Sequence, residues 1–138
     1  MTETSPVVRG EAGGPRTALA VRWAGYLLSG LPVLMLLVSA TMKFLQPAAM
    51  QDQLGKLGWA SEKMVALGVV ELVSTVLYVI PQTSVLGAIL LTGYLGGATA
   101  THVRVGDSFL VPVVLGVMLW AGLLVREPRL AALLPLRR

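Results

Sequence analysis

Apolar residues run along this chain in four stretches, at about 23–42, 64–80, 85–101 and 109–125, and most of the charged residues fall between them. Each stretch approaches the ~17–25 residues that a helix needs to cross a hydrocarbon core ~30 Å thick. A helix of a water-soluble bundle would instead show a Lys- and Glu-rich face returning every three or four residues. None of the four does, and "FLVPVVLGVMLWAGLLV" has no ionisable residue at all. Such all-round apolarity is expected where lipid is the solvent, so the pattern predicts an all-α, integral membrane four-helix bundle.

The connections sharpen this. The turn "PQTS" between the second and third spans is too short for anything but adjacent antiparallel neighbours. The longest connection, "KFLQPAAMQDQLGKLGWASEK", repeats apolar residues at Leu45, Met50, Leu54, Leu57 and Trp59. That spacing suits a short helix on the outer surface, either a lid over the bundle or an ordered loop that closes a helix pair. Trp23 and Tyr26 open the first span with rings suited to the headgroup layer, and Pro32 predicts a kink after Leu28. In the third span Gly93 and Gly97 form a GxxxG pair, expected to pack within the bundle rather than to join two chains. Residues 1–20 read as a disordered cytoplasmic tail, 21–130 as the four-helix domain and 131–138 as a basic tail. Arg22 and the small residues Val38-Ser39-Ala40 give the first span some resemblance to a secretory signal. Its ~20 apolar residues exceed the ~7–15 of a signal core, so it is read as a retained span.

Composition agrees and narrows the chemistry. Of 138 residues, 55% are hydrophobic and 13% charged, and the mean hydropathy of +0.76 is high for a water-soluble domain. The absence of cysteine excludes disulfides, thiolate metal sites and protein-held iron–sulfur clusters, and one histidine, His102, excludes a bis-histidine haem within the chain. No metal site is expected. The net charge of +4 could suggest nucleic acid, but the placement of the cations points to topology instead, and no nucleic-acid partner is expected. Seven of the 11 Lys and Arg lie at the ends of the chain, before the first span or after the last, four lie in the first and third connections, and "PQTS" has none. With four spans both termini share one side, and the positive-inside rule assigns them to the cytoplasm of what is expected to be a bacterial inner membrane.

The polar residues inside the spans carry the candidate chemistry. Glu71 interrupts "MVALGVVELVSTVLYVIP", and its companions at helical steps are Gly68, Thr75, Tyr78 and Gln82, with Ser74 flanking. Ser39 and Lys43 lie one turn apart in the first span, and Tyr94, Ala98 and His102 share a face of the third. At ~1.5 Å per residue, Glu71 and Tyr94 are level, near the bilayer midplane, whereas Lys43 and His102 lie at the outer ends of their spans. This predicts two layers, Glu71 with Tyr94 below and Lys43, His102 and Arg104 above. Glu71 is expected to be a neutral acid, since a central charge costs ~2.5–3.5 kcal/mol even on translocon scales.

These residues also carry a family resemblance. "SATMKFLQP", "LGVVELVSTVLYVIPQTSVLGAILLTGYLGGATATHVRVGD" and "LWAGLLVREPRLAALLPL" together resemble the DoxX-like family of small four-helix membrane proteins over about residues 23–136. The resemblance implies that Lys43, Glu71, Tyr94 and His102 are the family's polar positions. It also implies a connection to membrane redox systems, one of them quinone-reducing, although most members have no established activity. No flavin, nicotinamide or iron–sulfur site is recognisable, so electron transfer would draw on a bound quinone or a partner subunit. Three readings stay open, and no enzyme class is assigned. One is a pocket around Glu71, Tyr94, Lys43, His102 and Arg104 for a quinone-like lipophilic molecule, or an accessory subunit of a redox complex. Another is a proton-coupled small-molecule transporter acting as a homo-oligomer. The third is a structural, chaperone-like helper.

Overall fold

A computed structural model describes residues 15–127, 129 and 130, and among these the secondary structure is entirely helical. Five helices follow in order: α1 (Pro15–Leu45), α2 (Ala48–Leu57), α3 (Ser61–Val79), α4 (Ser84–Arg104) and α5 (Leu110–Arg126). The four expected spans correspond to α1, α3, α4 and α5. α1 begins earlier than expected, at Pro15, so the end of the supposed tail is helical. Proline suits a first helical position because its fixed φ is already helical and its missing N–H has no partner to lose. Residues 1–14 and 131–138, which hold the rest of the two expected tails, lie outside the described residues. α1 also runs unbroken through Pro32.

The helices form a ring in which α1 packs on α3 and α5, and α4 closes the circle against the same two. The α3–α4 turn lies at one end of the ring and α2 at the other. The core comprises Leu36, Tyr78, Ala88, Leu91, Leu95, Leu115, Leu119 and Leu123. Close approach at the turn end depends on glycine. A Cβ on Gly87 would fall 2.7 Å from the Leu77 carbonyl carbon, and one on Gly122 would fall 3.0 Å from the Gly25 oxygen and collide with Ser29. α3 thus meets α4, and α1 meets α5, almost backbone to backbone.

Polarity is arranged inside out. On α3 the side chains of Glu71, Ser74, Thr75 and Tyr78 are buried, whereas Val65, Val69, Val73 and Val76 are about half exposed. The expected polar stripe is therefore real but ends at Tyr78. The helix stops before Pro81, leaving Gln82 exposed in the turn. Ser74 and Thr75 return their hydroxyls to the carbonyls of Val70 and Glu71, at 2.7 Å each, and so need no external partner. Within the described residues, two segments are both long and apolar enough to cross a membrane, Leu19–Leu45 and Ser84–Arg104. α5 is apolar but shorter, and α3 carries Glu62, Lys63 and Glu71.

The long connection forms a helix, as its apolar spacing predicted. Gly58, at φ 70°, ends α2 in the left-handed conformation, and N–H groups of Gly58 and Trp59 cap the carbonyls of Gly55 and Leu54. Leu54 is buried, and Arg104 of α4 donates to the Leu57 carbonyl at 2.7 Å. This bond ties the last turn of α2 to the end of α4.

Candidate functional site

Toward the α2 end, where the ring has fewer glycine contacts, the helices enclose a cavity of about 590 Å³. Its wall is mostly apolar, with Leu36, Met64, Leu95 and Leu115 among its residues, and α2 contributes Leu54 and Leu57. Its polar lining includes Ser39, Lys43, Glu71, Tyr94, Thr101 and His102.

At its centre is an ion pair. Lys43 Nζ lies 3.0 Å from Glu71 Oε2 and donates a second hydrogen bond, of 2.6 Å, to Ser39 Oγ one turn back on α1. Glu71 is 1% exposed and Lys43 13%. The Lys43 ammonium also stands 5.8 Å from the centre of the Tyr94 ring, within cation–π range. Tyr94 and Glu71 both line this cavity.

The two-layer expectation fails at Lys43. Depth along the helices placed this residue too far out for a direct bond to Glu71. The missing information was Gly68. A Cβ there would lie 3.2 Å from Lys43 Cβ and 3.2 Å from the Phe44 ring, so α1 seats directly on bare backbone one turn from Glu71. The lysine stem spans that turn and brings its ammonium to the carboxylate. Glu71 accordingly has Lys43 as a direct partner, beside the Tyr94 that was expected at its level.

The other two members of the expected upper layer have different partners. His102 lines the cavity, but its Nδ1 is 3.1 Å from Asp107 Oδ2 in the α4–α5 turn. The Ser108 backbone N–H, followed by His102, holds the exposed Asp107 carboxyl below its ordinary pKa. Arg104 is outside the cavity, beside Gly58 and Trp59 in a small depression, where it fastens α2. The five candidates thus separate into a cavity trio of Lys43, Glu71 and Tyr94, a rim residue, His102, and a lid fastener, Arg104.

Gly93 and Gly97 also depart from expectation. Among the described residues a Cβ on either would meet nothing within 4 Å, so the GxxxG pair packs against no neighbouring helix there. Both line the cavity instead.

A second polar cluster, which sequence reasoning did not assemble, closes the turn end. Tyr78 donates to the Leu119 carbonyl at 2.7 Å, and with its single proton so committed it accepts from Ser29 at 2.9 Å. The Arg126 guanidinium lies 5.3 Å from the Tyr78 ring and 5.6 Å from that of Tyr26, and its Nε donates to the Gly122 carbonyl. The sequence signal was Tyr78 on the same stripe as Glu71, two turns further along. No spacing rule links it to Arg126.

A protein-family model, described as the DoxX-like family, matches residues 27–122, which include all five candidates. No curated protein and no solved structure matches the chain.

Proposed function

Because the chain belongs to the DoxX-like family, we propose that it is a multipass membrane protein whose cavity holds a small lipophilic molecule of quinone-like chemistry, either alone or as an accessory subunit of a membrane redox complex. In this reading α1, α3, α4 and α5 all cross the bilayer. The termini are cytoplasmic, and α2 lies on the outer surface of a bacterial inner membrane. The inside-out polarity of α3 supports the membrane setting. A row of half-exposed valines opposite a buried Glu71 is the reverse of what water would select. The 21–130 segment then acts as one unit.

The observation that carries the ligand reading is the cavity itself. At about 590 Å³ it is within the ~300–1,000 Å³ range of small-molecule sites, with apolar walls and a few convergent polar groups. The Lys43 ammonium and the Tyr94 hydroxyl supply donors for a carbonyl, and Glu71 accepts a hydrogen bond or a proton as the ligand changes state.

Trp59 on the cavity wall provides the test. With Trp23 and Trp120 replaced by Phe, Trp59 fluorescence in lipid nanodiscs is titrated with a benzoquinone bearing a ten-carbon tail. Saturable quenching is expected, weakened at least about tenfold by Tyr94→Phe combined with Glu71→Gln, in protein whose far-UV circular dichroism is unchanged. That would correspond to about 1.4 kcal/mol of binding free energy. Linear, unsaturable quenching identical in both proteins would overturn the ligand reading.

A further inference from the structure

Resting on the ligand reading above, we propose that the cavity is loaded from within the bilayer, through a lateral opening between α3 and α4, and that its occupant is a lipid-dissolved molecule with an uncharged polar head. α3 and α4 are closest beside their turn, where Gly87 admits the backbone of Leu77 and Tyr78. Further along α4, Gly93 and Gly97 have open space where a side chain would project. These two glycines stand roughly a quarter to a third of a turn round α4 from Gly87, so among the described residues no side chain screens that flank of the cavity.

Four residues border the gap: Leu67 and Val70 on α3, Gly93 and Gly97 on α4. On α3, Leu67 and Val70 occupy the flank opposite Gly68, which is covered by Lys43 and Phe44 of α1. They therefore face α4. On α4, the glycines lie round the helix from Thr92, which accepts a 2.8 Å hydrogen bond from Trp120 of α5. The glycine flank is thus the one toward α3. Val70 is 51% exposed and also lines the cavity, and both glycines are likewise exposed and cavity-lining. A residue that belongs to the outer surface and to the cavity wall marks an opening between them. Met35 of α1 and Val111 of α5 also meet this description, and the α3–α4 side is set apart by its two glycines, which place no side chain in the way. On the α2 side, by contrast, Leu54 and Leu57 lie over the cavity, held by the Arg104 bond.

The head chemistry follows from the ion pair. Lys43 and Glu71 neutralise each other, so an anionic head would either take Lys43 from a carboxylate 1% exposed or sit unneutralised beside it. A cationic head would do the converse. A carbonyl or hydroxyl accepts from Lys43 or Tyr94 without breaking the pair.

The test does not depend on the identity of the natural ligand. A ten-carbon alkyl diazirine with a terminal hydroxyl is dissolved in nanodiscs holding the full chain, and flash photolysis at increasing times after mixing is followed by mass mapping of adducts. A charged, water-soluble diazirine is run in parallel. Cavity residues Leu36, Leu95, Leu115 and Glu71 are expected to be labelled by the lipid-dissolved reagent at least about tenfold faster than by the charged one. Gly93→Leu combined with Gly97→Leu fills the open space with better helix formers. It should lengthen the loading time of the cavity residues at least about tenfold, while labelling of the lipid-facing Val73 and Val117 stays unchanged and reports an intact fold. Equal labelling by the charged reagent, or loading unaffected by the two leucines, would overturn the lateral route. If quinone still quenches Trp59 in that case, the ligand reading survives without it. If the diazirine enters laterally but no quinone binds, the route stands and the quinone-like ligand does not.

Discussion

Glu71→Ala removes one partner of the ion pair, and its cost follows from the geometry. At 3.0 Å and an effective dielectric of ~20, the attraction between Lys43 and Glu71 is about 5.5 kcal/mol. Withdrawing two ions from water costs several kcal/mol each, so the pair is roughly neutral against two well-packed apolar side chains. Deleting a single partner is different, because the remaining charge keeps its desolvation cost and loses its compensation. Glu71→Ala and Lys43→Met should each destabilise by about 3–5 kcal/mol, and Glu71→Leu with Lys43→Met by no more than about 1 kcal/mol. Glu71→Gln, which keeps an acceptor for Lys43, should cost about 1–3 kcal/mol. Reversible unfolding in mixed SDS micelles, followed by circular dichroism, measures them all. The decisive comparison is the double variant with the sum of Lys43→Met and the single variant Glu71→Leu, for which the same cost of about 3–5 kcal/mol is expected. A double variant as unstable as that sum, or single costs below ~1 kcal/mol, would mean that the two groups are not coupled.

Gly87→Ala and Gly122→Ala should each destabilise by ~1–3 kcal/mol or more, since the Cβ on Gly87 meets backbone and that on Gly122 meets both the Ser29 hydroxyl and the backbone of Gly25 and Ser29, whereas Gly97→Ala should be neutral or stabilise by up to ~1 kcal/mol; the same unfolding assay checks this. Tyr78→Phe leaves the buried Leu119 carbonyl and Ser29 hydroxyl without their partner and should cost ~1–3 kcal/mol, with faster amide exchange at the turn end and unchanged exchange in α2. Because the folded-state pKa of Asp107 is lowered, its contribution to the α4–α5 turn is complete above the ordinary value of 3.8 and lost as pH falls through the lowered value. Carboxyl carbon shifts should show Asp107 titrating below 3.8, and Asp107→Asn should abolish that pH dependence of the turn.

Much of the fold could be read from the sequence because in an apolar chain the polar exceptions carry the information. The absence of charge over 109–125, the short "PQTS" turn and the stripe of Glu71, Thr75 and Tyr78 each constrain one element or one pair, and such constraints are local. The partners of the candidate site were less legible. Helical rise gives depth, and depth separated Lys43 from Glu71. Their contact depends on how closely α1 approaches α3, which is set at Gly68, a position visible on the stripe but with no side chain to say which helix would seat there. The same limit explains Arg126, whose place between Tyr26 and Tyr78 depends on the seating of α5 against Gly25.

Glycine placement thus links the fold to the site. Gly25, Gly87 and Gly122 draw the ring together at the turn end, where Tyr78 satisfies the polar groups exposed by such close backbones. Gly68 brings α1 against α3 nearer α2 and so delivers Lys43 to Glu71. Gly93 and Gly97 have the opposite effect, because no backbone advances into the space they leave. A GxxxG pair is a permission for close approach and becomes a contact only if a partner occupies it. Here α3 is seated at Gly87, on another face of α4, so the permitted space remains as cavity wall. Filling Gly97 should therefore change access to the cavity more than stability, whereas filling Gly87 should change stability first. That contrast separates packing glycines from gap-forming ones within a single helix.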